Sequence, residues 1–151
     1  MTGEQKKQFT ARISQANKTQ LVVILYDMTL CYLQDTKTAL EQSDDLALEQ
    51  SLERVRGCIN ELMLSLHTQY EVARNVMSLY LFCLKCLVKV QRNQDKELLA
   101  RVQSILERLG RAYEESVKGD ASGPEMTGIQ NVYEGLTYGK NGKTMSTLLY
   151  K

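Results

Sequence analysis

Long apolar runs are missing from this sequence. None is longer than the six residues of Leu21–Tyr26, far short of the ~20 residues a helix needs to cross a bilayer. The first residues, Met1-Thr2-Gly3-Glu4-Gln5-Lys6-Lys7, are polar and lead into no apolar segment, so no secretory signal is expected. An excess of either charge is also lacking. Nineteen Lys and Arg nearly cancel 18 Asp and Glu, for a formal net charge of +1. A balanced chain carries no electrostatic footprint for nucleic acid or an anionic membrane, so a partner should be held through apolar surface. Proline is nearly absent, and its single copy, Pro124, lies in the last quarter. Between Asn17 and Lys118 the only glycines are Gly57 and Gly110. Each interior proline costs a helix ~3 kcal/mol and each glycine ~1, so a stretch this poor in both suits long helices.

What is present fits one helical domain. The 151 residues are 43% hydrophobic and 25% charged, ordinary globular usage for one core-bearing unit. Residues 1–16 read as a flexible leader, 17–118 as the folded body, and 119–151, with six of the nine glycines, as a tail able to fold back on the body.

Four helices are predicted in the body. The first opens with Asn17-x-x-Gln20, a capping box in which each side chain satisfies a backbone N–H of the other residue. Leu21, Leu25, Met28, Tyr32 and Ala39 follow at helical spacing, and Ser43-Asp44-Asp45 ends it. The second carries the cleanest stripe: Leu48, Leu52, Val55, Ile59, Leu62 and Leu66, alternating four- and three-residue steps. Thr68-x-x-Glu71 predicts a second capping box opening the third helix just after a turn at His67. Its apolar stripe, Val72 to Val90, is broad, with Leu81, Phe82 and Val88 outside it. After Asn93-Gln94-Asp95, the residues Leu98, Val102, Ile105, Leu109 and Ala112 mark the fourth. No stretch keeps the period of two that strands require. Short connections force consecutive helices antiparallel, so the expected fold is all-α: an up-down-up-down four-helix bundle.

Chemistry-bearing patterns are weak. Cys83-Leu84-Lys85-Cys86 is a C-x-x-C, but no βαβ context surrounds it and zinc would need two more ligands; packed thiols are the better reading. Like Cys31 and Cys58, these thiols sit in helical, mostly apolar sequence, which suits a reducing cytoplasm. Gly139-Lys140-Asn141-Gly142-Lys143-Thr144 has the end of a P-loop, yet Thr137 stands where the first glycine belongs and no strand precedes it. His67, the single histidine, suits the carbonyls of a helix C-terminus. Carboxylates do not form the Glu-x-x-His set of a di-iron bundle. No catalytic residue, metal or cofactor is therefore expected.

Surplus apolar surface remains. The first, third and fourth helices carry more large apolar residues than one seam needs, which suits either a thick core or a groove for an apolar partner helix. Candidate groove residues are Val22 and Tyr26, Met63, Leu81 and Phe82, and Leu99, Leu106 and Tyr113. The tail's Ile129, Val132, Tyr133, Leu136, Tyr138, Leu148, Leu149 and Tyr150, or the leader, could cover such a groove.

In series these residues resemble the flagellin export chaperone family, FliS. Ala16-Asn17-Lys18-Thr19-Gln20-Leu21 through Leu25-Tyr26-Asp27 is similar to that family's opening cap and Leu-Tyr-Asp, with Lys18 where proline is usual. Cys58-Ile59-Asn60-Glu61-Leu62-Met63-Leu64-Ser65-Leu66 resembles its Ile-Ile-x-Glu-Leu-Met-x-x-Leu. Ala73-Arg74-Asn75-Val76 and Leu79-Tyr80 resemble its third helix, with Leu81 and Phe82 replacing an Asp-Tyr. Arg108-Leu109-Gly110-Arg111-Ala112-Tyr113 resembles its Leu-Arg-x-Ala-Trp, with Tyr for Trp. The resemblance spans about residues 9–118. It implies a cytoplasmic chaperone, needing neither ATP nor metal, that binds the disordered C-terminal region of flagellin, prevents premature polymerisation and presents the subunit to the export gate. A generic helical adaptor for another partner is the alternative.

Overall fold

The computed structural model of the chain describes residues 1–119 and Gly123. Five helices follow in order: α1 (Gly3–Ser14), α2 (Lys18–Glu41), α3 (Asp45–Leu64), α4 (Glu71–Asn93) and α5 (Lys96–Ser116). No strand occurs among the described residues. The first helix predicted from the sequence is thus α2, and the expected flexible leader is itself a helix.

Local chemistry sets the boundaries. Asn17 and Gln20 form the expected capping box: the Asn17 side chain accepts from the Gln20 N–H at 2.8 Å, and Gln20 accepts from the Asn17 N–H at 3.0 Å. Ser43 ends α2 in the left-handed region, φ 53°. There the Asp44 N–H reaches the Ala39 carbonyl and the Ser43 N–H the Leu40 carbonyl, the paired bonds that close orphan carbonyls at a helix end. Asp44 then caps α3 by accepting from the Ala47 N–H. Gln94, also left-handed at φ 52°, and Asp95 repeat this stop and start between α4 and α5.

Two boundaries differ from expectation. Thr68 and Glu71 form no capping box; α4 begins at Glu71 with Tyr70 as an N-cap that makes no side-chain bond. The Tyr70 N–H is taken by the His67 carbonyl in a turn, and the Arg74 guanidinium donates to the Thr68 and Gln69 carbonyls. The backbone before α4 is thereby committed to a turn. The second difference is α1. Twelve residues are marginal as an isolated helix, but Phe9 and Ile13, one turn apart, are buried against α2. Arg12 adds an exposed ion pair with Asp27, 2.6 Å, and Gln5 reaches Cys31.

Packing makes α2 to α5 a helical bundle. Helix α2 contacts α3 and α5, α4 contacts the same two, and α1 lies along α2. The core is a single cluster that includes Met28, Leu33, Leu52, Ile59, Leu87, Val102 and Leu106. Buried hydroxyls are satisfied inside it: Thr36 bonds the Tyr32 carbonyl and Ser51 across to α3, and Thr29 bonds the Leu25 carbonyl. Among the described residues no buried side-chain polar atom lacks a partner, as a cooperative core requires.

An apolar groove at one end of the bundle

The bundle opens where α2 begins, α4 begins and α5 ends. A groove of about 630 Å³ lies there. Val22 and Tyr26 come from α2, Ser65, Leu66, His67 and Tyr70 from the α3 end and its connection, Val72, Ala73, Val76 and Tyr80 from α4, and Leu109, Ala112, Tyr113 and Ser116 from α5. Small side chains at Ala73, Ala112, Ser65 and Ser116 leave the space between helices unfilled. No Asp, Glu, Lys or Arg lines it, so an apolar segment entering it strips water from no fixed charge.

Three tyrosines shape the floor. The Tyr26 and Tyr80 hydroxyls bond each other, with ring centroids 6.5 Å apart, and Tyr113 stacks obliquely on Tyr26 at 6.2 Å. Burial raises both the Tyr26 and Tyr80 hydroxyls above the ordinary tyrosine value, Tyr80 the more strongly, because a phenolate would sit in apolar surroundings. Gly110 allows this arrangement: a Cβ there would lie 3.2 Å from the Tyr26 Cβ and Cγ, so α5 rides close over the ring.

The candidates named from the sequence separate into three groups. Val22, Tyr26 and Tyr113 meet in the groove. Leu81 and Phe82 are exposed, at 45% and 41%, on the outer side of α4 near Leu79 and Val88, and do not line the groove. Leu99 and Leu106 are 2% and 0% exposed: they are core, and offer a partner no surface. Met63 is half-buried against the core. Val76, Tyr80, Leu109 and Ala112, assigned to the core stripes by periodicity, line the groove. The small residues Ala73 and Ala112 were the available signal, since they interrupt otherwise bulky stripes.

Cys58, Cys83 and Cys86 are buried free thiols and Cys31 is half-buried. Burial pushes Cys58 and Cys83 up to about 12, far from the lowered values of reactive or ligating cysteines. Among the described residues no three His, Cys, Asp or Glu side chains cluster as a metal site would need. No described helix is long and apolar enough to cross a membrane. The Gly139–Thr144 turn and the apolar tail lie outside the described residues.

Residues 1–120 match the family described as flagellar protein FliS. No curated protein sequence matches the chain. The match takes in α1 through α5 and with them every wall of the groove. FliS is a chaperone family of flagellar export, and not an enzyme family. A helical bundle whose groove is lined by no Asp, Glu, Lys or Arg agrees with that assignment, and the chain belongs to the FliS family.

Proposed function

We propose that this chain is a cytoplasmic export chaperone whose groove between α2, α4 and α5 binds the disordered C-terminal segment of flagellin. Shielding that segment prevents premature polymerisation, and the loaded bundle presents the subunit to the export apparatus. Helices α2 to α5 run up-down-up-down in this reading, as their short connections and the contact of α2 with α5 favour.

The observation that carries the proposal is a groove with tyrosine and aliphatic walls and no Asp, Glu, Lys or Arg in its lining. Between Val72 and Tyr80, α4 advances about 12 Å, room for about two turns of client helix. Such a client binds through i, i+3, i+4 and i+7 anchors. A segment that orders only on binding gives up part of its contact energy to lost conformational freedom. Moderate affinity follows, which suits a subunit that has to be released. No bond is made or broken, and neither nucleotide nor metal is required. The apolar row at Leu81, Phe82 and Val88 gives a long client further surface along α4.

Hydrogen exchange on the full chain, with and without a peptide of the flagellin C-terminal region, tests this. Slowed exchange is expected in residues 72–80 and 109–116. Unchanged exchange there with saturating peptide would show that the groove is not the client site.

A further inference from the structure

The second half of α4 carries a pattern that the groove does not use. Leu81, Lys85, Val88 and Arg92 stand at i, i+4, i+7 and i+11, one stripe of the helix, and all four are exposed. Every charge from Leu81 to Asn93 is basic. The neighbouring helix has the opposite sign. Asp45, Glu49 and Glu53 are exposed on one stripe of α3, continued by Arg56. Both ends of that stripe reach α4: Gln94 donates to the Asp45 carboxylate at 3.3 Å, and Arg56 donates to Gln91 at 2.6 Å. The acidic and basic stripes therefore lie side by side on one face, with the start of α3 beside the end of α4. Among the described residues Glu49, Glu53, Lys85 and Arg92 enter no ion pair within the chain.

From this geometry we infer that a second copy of the chain docks on the α3–α4 face, with α3 of each copy over α4 of the other. A two-fold contact needs a patch that is complementary to itself. An axis lying in the face and parallel to the helices exchanges α3 with α4 and leaves height along the bundle unchanged. The acidic stripe of one copy then meets the basic stripe of its partner at the same level, and the match is made twice. An axis across the helices would lay α3 on α3 and α4 on α4, acid against acid and base against base. Leu81 and Val88 supply apolar contact between the charged rows, and Leu46, 65% exposed at the start of α3, adds to it at one end. Charges at such a rim set register and specificity more than strength. The face is two helices wide and runs about 17 Å from Leu81 to Arg92. That is small for a permanent interface, so the dimer forms and dissociates with concentration. The groove walls on α4 end at Tyr80, so the groove stays open in the dimer, and a client that runs further along α4 competes with the second copy.

Sedimentation equilibrium of the full chain at rising concentration tests this, with two charge-reversed variants. One carries Lys85→Glu and Arg92→Glu, the other Glu49→Lys and Glu53→Lys. The parent mass should climb reversibly toward twice that of one chain. Each variant alone sets like charges against each other and should associate roughly tenfold more weakly or less, with its helical circular dichroism intact. An equimolar mixture of the two should restore the dimer, because the acidic α3 of the first then faces the basic α4 of the second and the reverse holds on the other side. A parent that stays monomeric, a variant that dimerises alone as well as the parent, or a mixture without recovery would overturn the inference. Added salt gives a reading that needs no variant: it screens exposed charges and should weaken the parent dimer, whereas association indifferent to salt would overturn the pairing.

Discussion

The same substitution should stabilise the chain at one helical glycine and fail to do so at another. In α3, Gly57 has nothing within 4 Å of an added Cβ. Gly57→Ala therefore recovers the helix-propensity difference, about 1 kcal/mol of stability. In α5, Gly110 gains the same amount, but its new methyl would lie 3.2 Å from two carbons of Tyr26. That ring cannot swing aside, because its hydroxyl bonds Tyr80 and its face meets Tyr113 at 6.2 Å. Overpacking of this kind costs about 1–3 kcal/mol. Gly110→Ala thus comes out between neutral and about 2 kcal/mol destabilising, with α5 pushed off α2 at the groove floor. Urea unfolding of the two variants and the parent chain measures this directly. Thermal midpoints should separate by several degrees, at about 4 °C per kcal/mol for a domain of this size. If Gly110→Ala stabilises as much as Gly57→Ala, α5 does not rest on Tyr26 and the groove is shaped otherwise.

Other outcomes follow from burial. Leu106→Ala, in the sealed core, should cost about 2–5 kcal/mol, whereas Phe82→Ser on the outside of α4 should change the unfolding free energy from urea titration by no more than about 0.5 kcal/mol. A bulky thiol reagent at pH 8 should modify at most Cys31 in the native chain and all four cysteines after denaturation, since Cys58, Cys83 and Cys86 are buried and held as neutral thiols; rapid labelling of two or more native thiols would contradict the packing. Stability should also depend on alkaline pH. Tyr26 and Tyr80 have folded values raised above those of the unfolded chain, so the native state holds protons that the unfolded state releases. Their contribution is complete below about pH 10, the unfolded tyrosine value, and is lost as pH rises above it. Urea midpoints measured from pH 7 to 11 should fall beyond pH 10, less steeply in Tyr80→Phe.

Much of the bundle was legible from spacing and caps. Asn17 with Gln20, the Ser43–Asp45 stop and the Leu48-to-Leu62 stripe each express a local rule, and local rules survive into the fold. Helix α1 was not legible, because its two large anchors, Phe9 and Ile13, become a helical face only once α2 is there to bury them. Tyr70 displaced the predicted start of α4 for a related reason, as Arg74 and His67 bind the preceding backbone in a turn. The groove was half legible. Leu99, Leu106 and Tyr113 stand seven residues apart on one line of α5, and periodicity treats them alike. Position along the axis separates them: Leu99 and Leu106 lie within the closed bundle, Tyr113 at the end where the helices part. Tyr26 and Leu33 on α2 differ in the same way. Azimuth is written in the sequence period, but the distance from the open end is a property of the assembled helices.

Calorimetric titration of the flagellin C-terminal segment into the full chain tests the central claim most directly. Binding with a negative heat-capacity change, the mark of buried apolar surface, is predicted for the parent chain. Leu46→Asp, an exposed position on α3 away from the groove, should bind equally well, and Val76→Asp, in a groove wall, should bind at least tenfold more weakly with its helical circular dichroism intact. Equal affinities for Val76→Asp and the parent, or no binding by the parent at all, would contradict the account.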